Sequence, residues 1–477
     1  MSEPRERRRL EWLVFATPCA VVWTIYLLAF WPGVMNPDAI GQWGQMLSGR
    51  LNDWHPAFHT LTNWLITRLW LSPAAVALVQ IVAASALIGW GLALMLEAGV
   101  SRGAAWLACA VIAALPANGY LVIAVSKDIP YTLSLLALTL LFLRTTLTRG
   151  YSLQRPGAWL WLGVTAALVV LYRHNGGPAL LALPGLALAY RRSWRCVAAA
   201  LVLALVLVAG IRGPLYRALG IHGPAIWLAL PFIHQVAAHV RAGTVPPEQI
   251  EYLGRIRRLD DGWGYRWATI DPTLFSPGAR FDWQVIIENP RRFLDAWWAM
   301  TRRNPGVTLR HLRRSSSLVW RVRQKGPGFR PYYLKVGDGV VTTIAANDLG
   351  LERRSKLPSV MELLLVGLAR SQDASWLLLR PALPLYLGLA GLAALALRRR
   401  EWPVLLTALP VVLHSLALMS TTLGQELRFQ YPAYLTGWLL AALLLAKPRG
   451  LAAEAAVLSS SVHEAQEPDR FDGLSPW

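Results

Sequence analysis

The chain has 477 residues, of which 55% are hydrophobic and 16% charged, and it carries a formal net charge of +20. Soluble domains hold roughly 25% charged residues, and here the shortfall is uneven, with charge-free stretches separated by short basic clusters. That pattern argues against a soluble enzyme and against a nucleic-acid binder, because the arginines fall between apolar runs, where anionic headgroups and the positive-inside rule account for them.

Taken in order, the apolar runs lie near 12–31, 73–96, 103–117, 129–143, 158–172, 177–190, 196–212, 376–397, 402–420 and 430–446. A bilayer crossing needs about 20 apolar residues, so the expectation is an all-α membrane protein with about ten transmembrane helices. Arg5 to Arg9 precede the first run as in a signal peptide, but no small-residue cleavage pattern follows, and the run is read as a retained first span. With the N-terminus inside, the inside loops hold Arg102, Arg144, Arg149, Arg155, Arg191, Arg192, Arg195, Arg398 to Arg400, Lys447 and Arg449. The assignment is self-consistent and puts both termini in the cytoplasm of a cytoplasmic (inner) membrane protein.

Four regions follow. Residues 1–212 form an N-terminal membrane module whose first external loop, 32–72, carries interfacial helices. Residues 213–375 form a larger external region, 376–446 the last three spans, and 447–477 a disordered cytoplasmic tail rich in Ser, Glu and Asp. Within the external region, 290–303 and 357–370 are amphipathic and are expected to lie on the membrane or on the spans. The apolar content of 213–375 looks thin for a core of its own. Cys19, Cys109 and Cys196 sit inside apolar runs and suggest neither a metal site nor disulfides.

Five polar clusters are hard to explain as solvation: Asp38; Asp53 with His55 and His59; Lys127-Asp128; Arg173-His174-Asn175; and Glu426 with Arg428. None was used to set the orientation, yet all five fall on the external side. Each also has a structural reading. Asp38 and Asp53 could cap helices, His55 and His59 at i and i+4 could face headgroups or share a metal, and the paired charges could be snorkelling ends or salt bridges. Mixed acids, bases and imidazoles gathered at one membrane surface favour a site.

The segment Pro37-Asp38-Ala39-Ile40-Gly41-Gln42-Trp43 followed by Asn52-Asp53-Trp54-His55-Pro56 resembles the first external loop of GT-C glycosyltransferases, which include protein O-mannosyltransferases and lipid A aminoarabinose transferases. Lys127-Asp128-Ile129-Pro130, Arg173-His174-Asn175-Gly176 and Glu426-Leu427-Arg428-Phe429 are similar to elements of bacterial members. The likeness covers most of the membrane part, not 213–375 or the tail. A single Asp38 stands where many members have two adjacent acids.

The resemblance implies transfer of a sugar from a polyprenyl-phosphate donor to an acceptor hydroxyl on a cell-envelope glycan, lipid or protein, at the external face and with inversion. Asp38 is then the general base, oriented by Asp53 and His55. Lys127, Asp128, Arg173, His174, Asn175, Glu426 and Arg428 bind the donor phosphate and sugar. A divalent metal ion is a further option, held by Asp38, Asp53, His55 and His59. The rivals are a lipid-linked substrate transporter or flippase, a polysaccharide polymerase or ligase, and a non-catalytic scaffold. No P-loop, dinucleotide fingerprint or nucleophile elbow is present.

Overall fold

The computed structural model describes residues 3–223, 225–278, 280–324, 328–333, 335–337 and 340–447. Their regular elements are helices apart from one antiparallel hairpin, Lys335–Gly337 with Val340–Thr342. Six helices are long and apolar enough to cross a membrane: Glu11–Ala29, Pro73–Glu97, Asp128–Leu147, Arg191–Ala218, Ala382–Arg399 and Trp402–Thr421. The bent pair Arg102–Ala114 and Pro116–Val122 makes a seventh if counted as one. The chain is a multi-pass membrane protein, and four of the ten expected crossings take other forms.

The run 103–117 breaks by 61° at Pro116, which cannot continue the backbone ladder. The break is repaired internally, as an apolar environment demands. Asn118 donates to the Ile112 carbonyl at 2.8 Å and accepts from the Tyr431 hydroxyl at 3.1 Å. Gln80, in Pro73–Glu97, donates to the Val122 and Ala124 carbonyls at 2.9 and 3.0 Å. The run 158–172 is a helix of 15 residues, Ala158–Tyr172. The run 177–190 divides into the 3-10 helix His174–Leu181, which contains Pro178, and the short helix Ala182–Ala189. The run 430–446 divides into Tyr431–Ala441 and Ala442–Leu445.

Small residues let these helices approach closely. A Cβ on Gly437 would stand 2.3 Å from the Pro384 carbonyl, so Tyr431–Ala441 lies directly on Ala382–Arg399. At one end of the bundle Arg102 pairs with Glu11 at 2.8 Å, Arg149 pairs with Glu401 at 2.5 Å, and Lys447 N donates to the Gly99 carbonyl. That end gathers the basic loops. The opposite end gathers residues near 34–38, 124–128, 173 and 424–430, joined by the Val34–Ala124 bridge and the Asp128–Arg173 pair.

The region expected at 213–375 does hold a core of its own, contrary to the expectation of too little apolar content. Helices Leu230–Arg241, Pro247–Ile256 and Pro290–Arg303 each turn an apolar stripe inward, around Ile233, Val236, Leu253, Ile256, Phe293, Ala296 and Met300. Trp263, fully buried, fills the centre. No one segment carries enough apolar surface, but three short amphipathic helices pooled do. The segment 290–303 therefore packs within this module, whereas Pro358–Ser371 lies on Glu3–Ala29 and Pro116–Val122. The tail expected at 448–477 lies outside the described residues.

Candidate active site

The helix Pro37–Ser48 starts just beyond the first span. Its N-cap is Asn36, whose Oδ1 accepts from Ala39 N at 2.7 Å. Because Asn36 fills the capping role, the Asp38 carboxylate is left to other partners. It meets three: Arg428 Nη1 at 2.9 Å, Lys127 Nζ at 3.4 Å and His55 Nε2 at 3.5 Å. Burial pushes the Asp38 carboxyl up, and Lys127, Arg428 and His55 outweigh it, holding it well below the ordinary carboxylate range.

Arg428 continues the network. Its Nε donates to Glu426 Oε2 at 2.6 Å and its Nη1 lies 3.5 Å from Asp128 Oδ2. Burial opposes its charge, but Glu426, Asp38 and Asp128 raise its pKa well above the usual value. Its guanidinium is sandwiched between Phe429 and Tyr333, 4.9 and 5.3 Å from the ring centroids. Asp128 opens the span Asp128–Leu147, at the positive end of its helix dipole. Its side chain is fully buried and pairs with Arg173 at 3.1 Å. Arg173 sits between Tyr131 and Phe429.

Three carboxylates (Asp38, Asp128, Glu426) thus interlock with three cations (Lys127, Arg173, Arg428). Only Asp38 and the adjoining His55 retain appreciable side-chain exposure, 27% and 24%. His55 is held below its ordinary pKa by burial and by Lys127, against the pull of Asp38. The accessible corner of the network is therefore a carboxylate beside a neutral imidazole.

A cavity of about 590 Å³ meets the network at Glu426 and Arg428. Asn36, Ser126, Arg330, Glu426 and Arg428 line its polar part; Val34, Tyr120, Leu121, Ala124, Ile129 and Tyr332 line the apolar remainder. Tyr120 and Leu121 of the apolar wall come from Pro116–Val122, so the break at Pro116 positions part of the cavity lining. Arg330 enters through the backbone bridge between its strand-like segment and Glu426, with Arg330 N donating to the Gln425 carbonyl at 2.7 Å.

No protein-family model matches the chain. No curated protein matches it. Among solved structures, the archaeal oligosaccharyltransferase AglB from Archaeoglobus fulgidus, in complex with an inhibitory peptide and a dolichol-phosphate, is similar at a TM-score of 0.43 and 13% identity, over 97% of this chain and 52% of that one. The chain thus spans about half the length of that relative. At this level the likeness assigns neither a family nor an activity.

The remaining residues singled out in the sequence stand around the network. Asp53 Oδ1 accepts from Ala57 N at 2.8 Å, satisfying the first N–H of the helix Ala57–Ile66. Burial raises its carboxyl, against the Ala57 N–H and Arg212. His59 is buried: its Nδ1 donates to Gln42 Oε1 at 3.1 Å and its Nε2 faces Asn63 at 3.4 Å. Desolvation pushes it down to about 3. His174 Nε2 donates to the Asp53 carbonyl at 3.1 Å, and burial with nearby Arg212 pushes it down to about 4. Asn175 donates to Thr421 Oγ1 at 3.4 Å.

These donors do not fit a divalent cation. Asp38 is already neutralised by Lys127 and Arg428, Asp53 serves a helix N-terminus, and both His59 nitrogens are engaged. Among the described residues no group of three or more His, Cys, Asp or Glu side chains converges as a metal site would.

The structure adds residues that the sequence did not single out. Arg330 and Tyr333 belong to an Arg- and aromatic-rich region where nothing local distinguishes them. Gln42 was legible in principle, one helical turn beyond Asp38. Its amide donates to the Pro56 carbonyl at 3.2 Å and to Thr60 Oγ1 at 3.1 Å. It thereby ties the helix that carries Asp38 to the turn that carries His55.

Proposed function

We propose that this chain is an integral-membrane glycosyltransferase that moves a sugar from a polyprenyl-phosphate donor to an acceptor hydroxyl on the external face of the cytoplasmic membrane, with inversion. One observation carries this reading: the partly exposed Asp38 carboxylate pairs with Arg428, and Arg428 with Arg330 lines the polar end of a largely apolar cavity. An amphiphile with an anionic head fits such a cavity, its lipid part on Val34, Leu121, Ala124 and Ile129, its phosphate at the guanidiniums. The basic loops at the other end of the bundle support placing the site outside.

In this mechanism the acceptor oxygen forms a bond to the anomeric carbon while the bond from that carbon to the phosphate oxygen breaks. The acceptor proton passes to Asp38, and the electron pair leaves with the phosphate, whose growing charge is met by Arg428 and Arg330. In the resting site Lys127 and Arg428 make Asp38 a weak base. A phosphate that draws Arg428 toward itself loosens the 2.9 Å contact and restores basicity as the donor binds. Asp128 and Glu426 hold the Arg428 guanidinium in register, Lys127 and Arg173 balance Asp38 and Asp128, and His55 stands 3.5 Å from Asp38.

The test uses membranes that contain the full chain and radiolabelled polyprenyl-phosphate hexose. Release of polyprenyl phosphate that depends on both added acceptor membrane and Asp38 supports transfer. Movement of the labelled lipid between leaflets without loss of sugar, unaffected by Asp38→Asn, overturns it in favour of a flippase.

A further inference from the structure

The helix Pro305–Ser315 buries Val307, Thr308, His311 and Ser315. Its other face exposes Leu309, Arg310, Arg313 and Arg314 at helical neighbour spacing, with Leu309 64% exposed. The helix abuts Leu409–Thr421, and the next turn, Ser317–Trp320, packs Leu318 and Val319 on Leu418 of the same span. Trp320 is fixed to a second span, because its carbonyl accepts from the Tyr386 hydroxyl at 2.6 Å. Trp320, Trp376 and Tyr386 are all exposed there, and the Arg323 guanidinium lies 4.5 Å over the Trp376 ring. The face is thereby fixed at the height where two spans leave the apolar phase, where exposed Trp and Tyr mark headgroup level.

Among the described residues no carboxylate pairs with Arg310, Arg313, Arg314, Arg321 or Arg323. Unpaired guanidiniums call for an anionic partner, and the Leu309 and Trp320 side chains beside them call for one with an apolar interior. An anionic polymer supplies the first requirement only; a bilayer surface supplies both. We propose that this face binds the anionic phospholipid headgroups of the leaflet on the side of the candidate site, with the Leu309 and Trp320 side chains at the acyl boundary.

The same contact bears on the site. Gln425 Nε2 donates to the Ser315 carbonyl at the end of this helix, and Gln425 Oε1 accepts from Ser317 Oγ at 3.1 Å. Glu426 and Arg428 follow directly in the chain. Headgroups that seat Pro305–Ser315 therefore steady the turn that carries Arg428. The proposal rests on the membrane reading alone and stands whether or not the chain transfers sugars.

The experiment compares the full chain in nanodiscs of phosphatidylcholine alone and of phosphatidylcholine with an equal part of phosphatidylglycerol, and reads amide exchange over 305–323. The expected result is about tenfold slower exchange with phosphatidylglycerol. The difference disappears in the combined variant Arg310→Ala, Arg313→Ala, Arg314→Ala. Should that variant fail to fold, Leu309→Ser, at a position already 64% exposed, reduces the protection by itself. Equal exchange in the two discs overturns the proposal. So does protection by soluble heparin in phosphatidylcholine discs without any from phosphatidylglycerol, which would make the face a reader of anionic chains.

Discussion

Arg428 Nη1 lies 2.9 Å from Asp38 Oδ2 across 390 positions of sequence, so the acid after the first span and the guanidinium before the final buried helix form one unit. That contact sets both the protonation state of Asp38 and the register of the residues around it. Asp38→Asn removes the proton acceptor but keeps the side-chain shape. We expect transfer of labelled sugar to fall by about 10²- to 10⁴-fold, the usual worth of a positioned base. Expression and detergent-solubilised melting should hold, since a neutral amide still accepts from Arg428. Full transfer activity in Asp38→Asn would remove Asp38 from the mechanism.

Arg428 is the reverse case, because removing it strands acids. Arg428→Leu leaves Asp38, Asp128 and Glu426 without a shared guanidinium, two of them well buried. Breaking a buried pair by deleting one partner costs about 3–5 kcal/mol, so thermal unfolding of the purified variant should begin at clearly lower temperature. Arg428→Lys keeps the charge, yet one ammonium cannot donate in the two directions that Nε and Nη1 now serve. It should therefore melt between the two. A Leu variant as stable as the parent would show that the network contributes nothing to folding.

Gln42 offers a subtler test. It touches neither Asp38 nor the cavity, and its amide bridges Pro56, Thr60 and His59. Gln42→Ala leaves His59 Nδ1 and the Pro56 carbonyl without their partner and frees the turn that carries His55. Transfer should drop by about tenfold through loss of positioning, with the acid limb of the pH–rate profile displaced because His55 no longer stands beside Asp38 in a fixed geometry. An unchanged pH profile alongside a lower melting temperature would reduce Gln42 to a packing role.

The membrane architecture was legible because a span announces itself by length and lack of charge. Runs such as 73–96 and 129–143 match Pro73–Glu97 and Asp128–Leu147 closely. Crossings broken by proline were not, since the repair at Pro116 depends on Asn118, Tyr431 and Gln80 meeting in space. The ionic residues of the site were visible as intrusions at the ends of apolar runs. What each does was not. Asp38 and Asp53 read alike as possible caps, and only the structure shows Asn36 capping in place of Asp38 while Asp53 satisfies the first N–H of Ala57–Ile66. The core of the module within 230–303 was not legible because its apolar residues are dispersed over three short helices, none of them convincing alone.

That same module contains three buried histidines whose titration should govern its acid stability. His234 Nε2 donates to the Arg266 carbonyl at 2.9 Å, and its ring lies 4.6 Å from that of His311. His311 Nδ1 meets the Tyr265 hydroxyl at 3.0 Å, and His239 is held by Thr244 and Thr308, both at 2.9 Å. Burial pushes His234 and His239 down to about 4; burial, with His234 and His239 adding to it, pushes His311 down to about 3. In the unfolded chain each returns to the ordinary value near 6.5. Above that pH all three are neutral in both states and contribute no pH dependence. As pH falls from 6.5 toward 4, the unfolded module takes up protons that the folded one refuses. Stability then declines by up to about 1.4 kcal/mol per pH unit for each histidine. Amide exchange over 230–315 should accelerate on going from pH 7 to pH 5 after correction for intrinsic rates, while exchange in Pro73–Glu97 stays unchanged. Replacing His311 with Asn should flatten part of the response. Exchange in the module that ignores pH across this window would show that the folded histidines keep their ordinary, solvated pKa values.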